Sequence, residues 1–160
     1  MHPRLLWDDI SVAAVAVLEG VCPQQPYRVR LEYQDVSGFD GGQVLIAVDP
    51  AGVSTDQVAR LRRTYELSHV VELAAIAIAA LGLYHGGGHE IRDVALRGSS
   101  ADHLVDDWNH HLEIAGRSRR ADFGVAWQQR WHRLTDRFGS GFYVCVAEFE
   151  TPAARLAFAV

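Results

Sequence analysis

The chain reads as a mixed α/β domain, and three observations carry that reading. Residues 121–138 place Phe123, Trp127, Trp131, Leu134 and Phe138 at spacings of four and three, the stripe of a helix lying on a core. A second helical stretch, about 65–84, is almost wholly apolar after Val70, so both of its sides should touch protein. Between them lie three short segments separated by turn residues, the pattern of a strand meander.

The elements follow in order. Residues 8–19 (DDISVAAVAVLE) have an acidic first turn and stop before Gly20, which predicts a helix. Cys22-Pro23-Gln24-Gln25-Pro26 breaks the chain. Residues 27–36 alternate, with Val29, Leu31 and Tyr33 on one face and Arg28, Arg30 and Glu32 on the other. A turn at 38–42 leads to a second strand at 43–49, and the two form a hairpin. Ser54 is placed to cap a short helix through about Arg63, and Gly86-Gly87-Gly88 ends the long apolar one. Strands are expected at 90–97, 101–106 and 110–115, with turns at Gly98-Ser99-Ser100 and Asp107-Trp108-Asn109. Leu112 and Ile114 share one face of the third strand and Glu113 takes the other. Arg117 to Arg120 is a basic loop; after the 121–138 helix come a buried strand at 142–149 and a last strand at 155–160.

Composition narrows the class. The 160 residues fit one domain spanning 1–160, with 1–64 as a helix-and-hairpin extension and 65–160 as the core. A hydrophobic fraction of 49% and a charged fraction of 22% are those of a globular protein. The net charge of −5 gives no general attraction to nucleic acid, so any basic surface must be local. All 15 basic residues are arginine; there is no lysine. Cys22 and Cys145 have no CxxC partner, and Cys145 lies in an apolar run, which suits a buried free thiol and a reducing compartment. Trp7-Asp8-Asp9 stands where a signal peptide would be apolar. Val70 to Tyr84, interrupted by Glu72, falls short of the ~20 residues that span a bilayer. A cytoplasmic protein without a membrane partner is expected.

The chemistry concentrates in two acids, Asp102 and Glu113, on adjacent antiparallel strands. Glu72 is a third acid, alone in its apolar helix. With the order helix, three-strand meander, helix, strand, these residues resemble the core of the PD-(D/E)xK nuclease superfamily, over roughly residues 65–150. The resemblance implies that Asp102 and Glu113 hold a divalent cation, Mg²⁺ or Mn²⁺, with Glu72 as auxiliary ligand, in an oxygen cage that keeps several waters. It implies metal-dependent phosphodiester hydrolysis, with DNA or RNA as partner. The departure is the lysine two residues after the second acid: here the segment is Glu113-Ile114-Ala115, and alanine holds the place. Arg130, beside Gln128 and Gln129 on the downstream helix, is the available substitute. Arginine stays charged, so it orients and stabilises but does not act as a base.

Two alternatives stand beside the nuclease. A catalytically inactive structural or partner-binding module, including a homo-oligomer, is favoured by the absent lysine and the acidic net charge. A histidine-metal enzyme would draw on His85, His89, His103, His110 and His111, a ligand type suited to Zn²⁺, Mn²⁺ or Fe²⁺. Neighbours on a strand face opposite ways, so at most half of these imidazoles share a site with the acids. Arg117, Arg119 and Arg120 are either a solvated loop or a cluster for phosphate oxygens. No P-loop, GxGxxG, GxSxG or HExxH occurs.

Overall fold

The computed structural model describes residues 7–36, 42–94 and 102–160. Its elements run α1 (Trp7–Leu18), β1 (Tyr27–Gln34), β2 (Gln43–Val48), α2 (Thr55–Thr64), α3 (Leu67–Gly87), β3 (Ile91–Val94), β4 (His103–Val105), β5 (His111–Arg117), α4 (Phe123–Phe138), β6 (Phe142–Glu148) and β7 (Ala153–Phe158). The strands form one mixed sheet in the order β2-β1-β7-β6-β5-β4-β3. Neighbours are antiparallel except β1 with β7 and β5 with β6, which are parallel. The expected meander is therefore present as β3-β4-β5. The turns expected at 38–42 and 98–100 lie wholly or largely outside the described residues.

Strand alternation divides the core between two faces. Leu112 and Ile114 of β5 join Tyr143, Cys145 and Ala147 of β6 under α1 and α3. Ala115 joins Phe142, Val144 and Val146 under α4. Every residue of β6 is buried, the mark of a strand covered on both faces. Cys145 is a free thiol in this layer, and burial pushes its pKa up to about 12, so it is unreactive. The N-terminal residues extend this same sheet: β1 pairs with β7, and α1 packs along α3.

Helix α3 runs further at its C-terminal end than the sequence suggests. It passes through His85 to Gly87 and stops at Gly88, whose φ of 69° supplies the left-handed cap. At 21 residues it is long and apolar enough to cross a bilayer by length and composition, contrary to the expectation that it falls short. Its apolar residues are instead spent on α1, β5, β6 and β7. Helix α2 matches expectation, with Ser54 and Gln57 forming a reciprocal capping box.

The approach of α3 to the sheet is closest at Gly116. A Cβ there would lie 2.4 Å from the Val71 carbonyl oxygen, a backbone atom that cannot swing aside. On the other face, α4 lays its stripe on the sheet, but only Ala126 and Leu134 are fully buried. Trp127 is half-buried, stacked 5.6 Å from Trp131 with the Arg155 guanidinium 5.0 Å over its ring.

One acid is built into this frame. Glu148, fully buried at the end of β6, accepts hydrogen bonds from the Glu150 amide (2.9 Å), the Thr151 amide (3.0 Å), the Thr151 hydroxyl and Arg120 (3.2 Å). Burial alone would raise its pKa, but these donors outweigh burial and hold it below the usual range.

Two outcomes follow for stability. Gly116→Ala forces α3 off the sheet and should cost about 2 kcal/mol or more in chemical denaturation, against the 1–3 kcal/mol of ordinary overpacking; a neutral result would disprove the close crossing. Stability should also fall in acid in two stages. Burial lowers the pKa of His103, and burial with Arg137 and His110 lowers that of His111. The unfolded chain then takes up these protons first, so stability drops as pH falls below about 6.5. Glu148, depressed in the fold, adds a second loss as pH falls below its ordinary unfolded value and through its folded one. Glu148→Ala should cost about 3–5 kcal/mol near neutrality and flatten the second stage; an unchanged acid limb in urea titrations would refute this role.

Candidate functional site

Strand β5 carries the centre. Among the described residues its pairing with β4 covers His111 and Leu112, which oppose Leu104 and His103. Beyond that point, among the described residues, the next amides on this side of β5 are received by side chains, since buried amides need acceptors. Two carboxylates serve. Asp102 Oδ2 accepts from the Ile114 amide at 3.2 Å, and the Asp102 amide donates to the Leu112 carbonyl at 3.2 Å. Glu72 Oε2 accepts from the Gly116 amide at 3.0 Å. The close crossing of α3 at Gly116 delivers Glu72 to that amide. Glu72 Oε1 then meets Arg117 at 3.3 Å.

Glu113 faces the other way, toward α4, and is 1% exposed. A carboxylate so deeply buried is costly unless its charge is compensated. Helix α4 supplies two cations from one face, three residues apart. Arg130 Nε lies 3.5 Å from Glu113 Oε1, and the Arg133 guanidinium contacts the same oxygen. Arg130 is itself largely buried, and Arg133 reaches in from solvent. Burial first, and the neighbouring Arg117 second, lower the Arg130 pKa, while Glu72 and Asp102 oppose them. Arg130, Arg117, Glu72 and Asp102 therefore share one electrostatic neighbourhood, while Glu113 Oε2 and Arg130 Nε make no hydrogen bond among the described residues.

The expected site residues are thus only partly assembled. Asp102, Glu113, Glu72 and Arg130 gather along β5, but Asp102 precedes β4 rather than lying within it. Gln128 and Gln129 are exposed. At about 100° per residue, Gln128 projects roughly 160° away from Arg130 around the helix. Ala115, at the place of the lysine, is fully buried beneath α4. The basic loop is paired internally: Arg117 with Glu72, Arg119 with Asp122 at 3.1 Å and Arg120 with Glu148.

Of the histidines, His103 lies close enough to Asp102 for that carboxylate to oppose the effect of burial on its pKa. His111 stacks on Phe138, with ring centroids 4.4 Å apart. His89 and His110 gather around Asp106 and Asp107 at the β4–β5 turn. Among the described residues, no three His, Cys, Asp or Glu side chains are placed to hold a metal ion. The donor set explains this on β5. Asp102 and Glu72 each commit an oxygen to an amide, and two guanidiniums occupy the charge of Glu113. A Mg²⁺ or Mn²⁺ cage does not fit these residues as they stand.

Arg133 is the residue that sequence reasoning missed. Its signal was present in the helix period, because Arg130 and Arg133 share a face. No family model, curated protein or solved structure matches this chain.

Proposed function

We propose that this chain is a PD-(D/E)xK-like domain that has exchanged its metal for an arginine clamp and works as a non-cleaving, partner-binding module. The order α3-β3-β4-β5-α4-β6 supports the resemblance, with an antiparallel meander, parallel β5 and β6, and the two helices on opposite faces. The observation that carries the loss of cleavage is Glu113. Buried and clamped by Arg130 and Arg133, it has its negative charge matched without a cation. The internal pairing of Arg117, Arg119 and Arg120 and the net charge of −5 favour a protein partner over nucleic acid.

The sign of one substitution separates the clamp from a cation site. In a metal-free carboxylate cage, removing a charge relieves repulsion and stabilises the fold. In an arginine clamp, removing it breaks charged contacts. Glu113→Gln should therefore lower stability by about 1.5–3 kcal/mol in metal-free buffer, the scale of a charge-assisted hydrogen bond. A rise in melting temperature would overturn the clamp.

Metal and activity give an independent measurement. A cation present at ~100 times its dissociation constant would add about 2.7 kcal/mol, roughly 5–10 °C for a chain of this size. Mg²⁺ and Mn²⁺ should leave the wild-type melting temperature unchanged, and single- and double-stranded DNA and RNA should remain uncut. Restoring the lysine as Ala115→Lys should destabilise the fold, since it buries an ammonium under α4, and should not create activity. Metal-dependent turnover that disappears in Asp102→Asn would replace this reading with that of a working nuclease.

A further inference from the structure

The two edges of the sheet are built differently. Among the described residues β3 stands at one edge; it is short, carries Arg92 and Asp93, and shifts register between Ile91 and Asp93. Brevity, charge and a bulge are features that keep a strand edge from pairing with another chain. Strand β2 stands at the other edge without them. Its sequence, QVLIAV, holds no charge and no proline, and its six residues pair with β1 in unbroken register. The Tyr33 amide donates to the Gly42 carbonyl at 2.9 Å, which sets the phase of that ladder. Antiparallel pairs alternate, so Val44, Ile46 and Val48 turn their amides to β1, while Gln43, Leu45 and Ala47 turn theirs outward. The same three side chains are exposed, Leu45 at 62%, on the face opposite the one that Ile46 and Val48 bury.

An edge of this kind receives an extended backbone, and its own symmetry selects the occupant. The outward residues are spaced evenly about Leu45. A two-fold axis through Leu45 sets it opposite Leu45 of a second copy, and sets Gln43 opposite the second copy's Ala47. Each copy's outward amides then donate to the other's outward carbonyls, roughly six bonds with no outward group left over. A slip of two residues either way leaves one outward residue of each copy opposite a position beyond the strand. The charges on the exposed face agree with the same axis. Arg28 neighbours Ala47 and Glu32 neighbours Gln43, so both outer rows run from an arginine of one copy to a glutamate of the other. The middle row ends in the two Arg30 residues, about 14 Å apart across three strand spacings, well beyond the ~8 Å screening length of physiological salt. Donors, acceptors and row charges are thus all self-complementary. We propose that β2 is the self-pairing edge of a homodimer, antiparallel about Leu45, which joins two seven-stranded sheets into one. None of the residues of the β5 centre takes part, so this proposal stands apart from the clamp.

The test is sedimentation equilibrium of the intact chain from about 1 μM to about 1 mM, a span suited to the small area that an edge contact buries. The average mass should climb from one chain to two and stop there, because a two-fold contact closes on itself. Leu45→Lys sets two ammonium groups opposite each other on the axis. Ala47→Pro removes an outward N–H that the β1 ladder does not use, a substitution that an edge strand tolerates. Each should raise the dimer dissociation constant roughly ten-fold or more. Circular dichroism of each at the lowest concentration should match the wild type. The proposal fails if the wild type remains a single chain at about 1 mM, which would leave β2 to a strand of other origin. It fails if both variants associate as tightly as the wild type, since another surface would then form the dimer. Mass that keeps climbing past two chains would also overturn it, because open stacking is not a closed pair.

Discussion

The placement of α3 on β5 is the constraint from which the rest of the centre follows. The helix rests on Gly116 so closely that no side chain fits between them, and the Val71 carbonyl fills the space. That contact fixes the next residue, Glu72, over the amide of Gly116 and within reach of Arg117. Asp102 receives the Ile114 amide in the same manner. Two acids that in isolation would suggest ligands for a cation are here completing the edge of a strand. A missing side chain at Gly116 lets one of these carboxylates reach the backbone and act as its acceptor.

On the opposite face the controlling term is the cost of burying charge. Glu113 lies between Leu112 and Ile114 in a stretch buried throughout from 112 to 116. Its carboxylate cannot reach water by bending, so α4 brings compensation to it. Arg130 is largely desolvated in doing so and keeps its charge because guanidinium is so strongly basic. Lysine in that position would more readily lose its proton. In this environment an arginine-only composition has a local physical use, whatever produced it across the chain.

Much of the architecture was legible in the sequence because it is written in local periodicity. The stripe Phe123, Trp127, Trp131, Leu134, Phe138 located α4, and the Asp107-Trp108-Asn109 turn located the β4–β5 hairpin. Ser54 marked the start of α2. What local pattern could not supply were contacts between elements distant in sequence. The Glu113–Arg133 pair depends on how α4 lies across β5, and the Gly116–Val71 contact on the angle of α3. Glu148 was hidden within an apolar run, since its burial depends on the β6–β7 turn that folds three donors onto it and on Arg120 from the loop before α4. The helix boundary at Gly88 was misplaced because two preceding glycines looked like a stop, whereas tertiary packing carried the helix through them.

The pairing of β1 with β7 has a consequence for how the chain acquires its shape. Arg30 opposes Ala153 and Gln34 opposes Ala157, separations of more than 120 residues. During synthesis the amino-terminal hairpin emerges long before the strand that joins it to the sheet has been made. It must wait with one edge unsatisfied, and isolated hairpins are marginal in water. Closing so long a loop comes late and slowly, since chain entropy is lost before the contact is gained. The carboxy-terminal residues 153–158 are therefore the keystone of the sheet: truncating them would detach the hairpin at the far end of the sequence and expose two strand edges to aggregation.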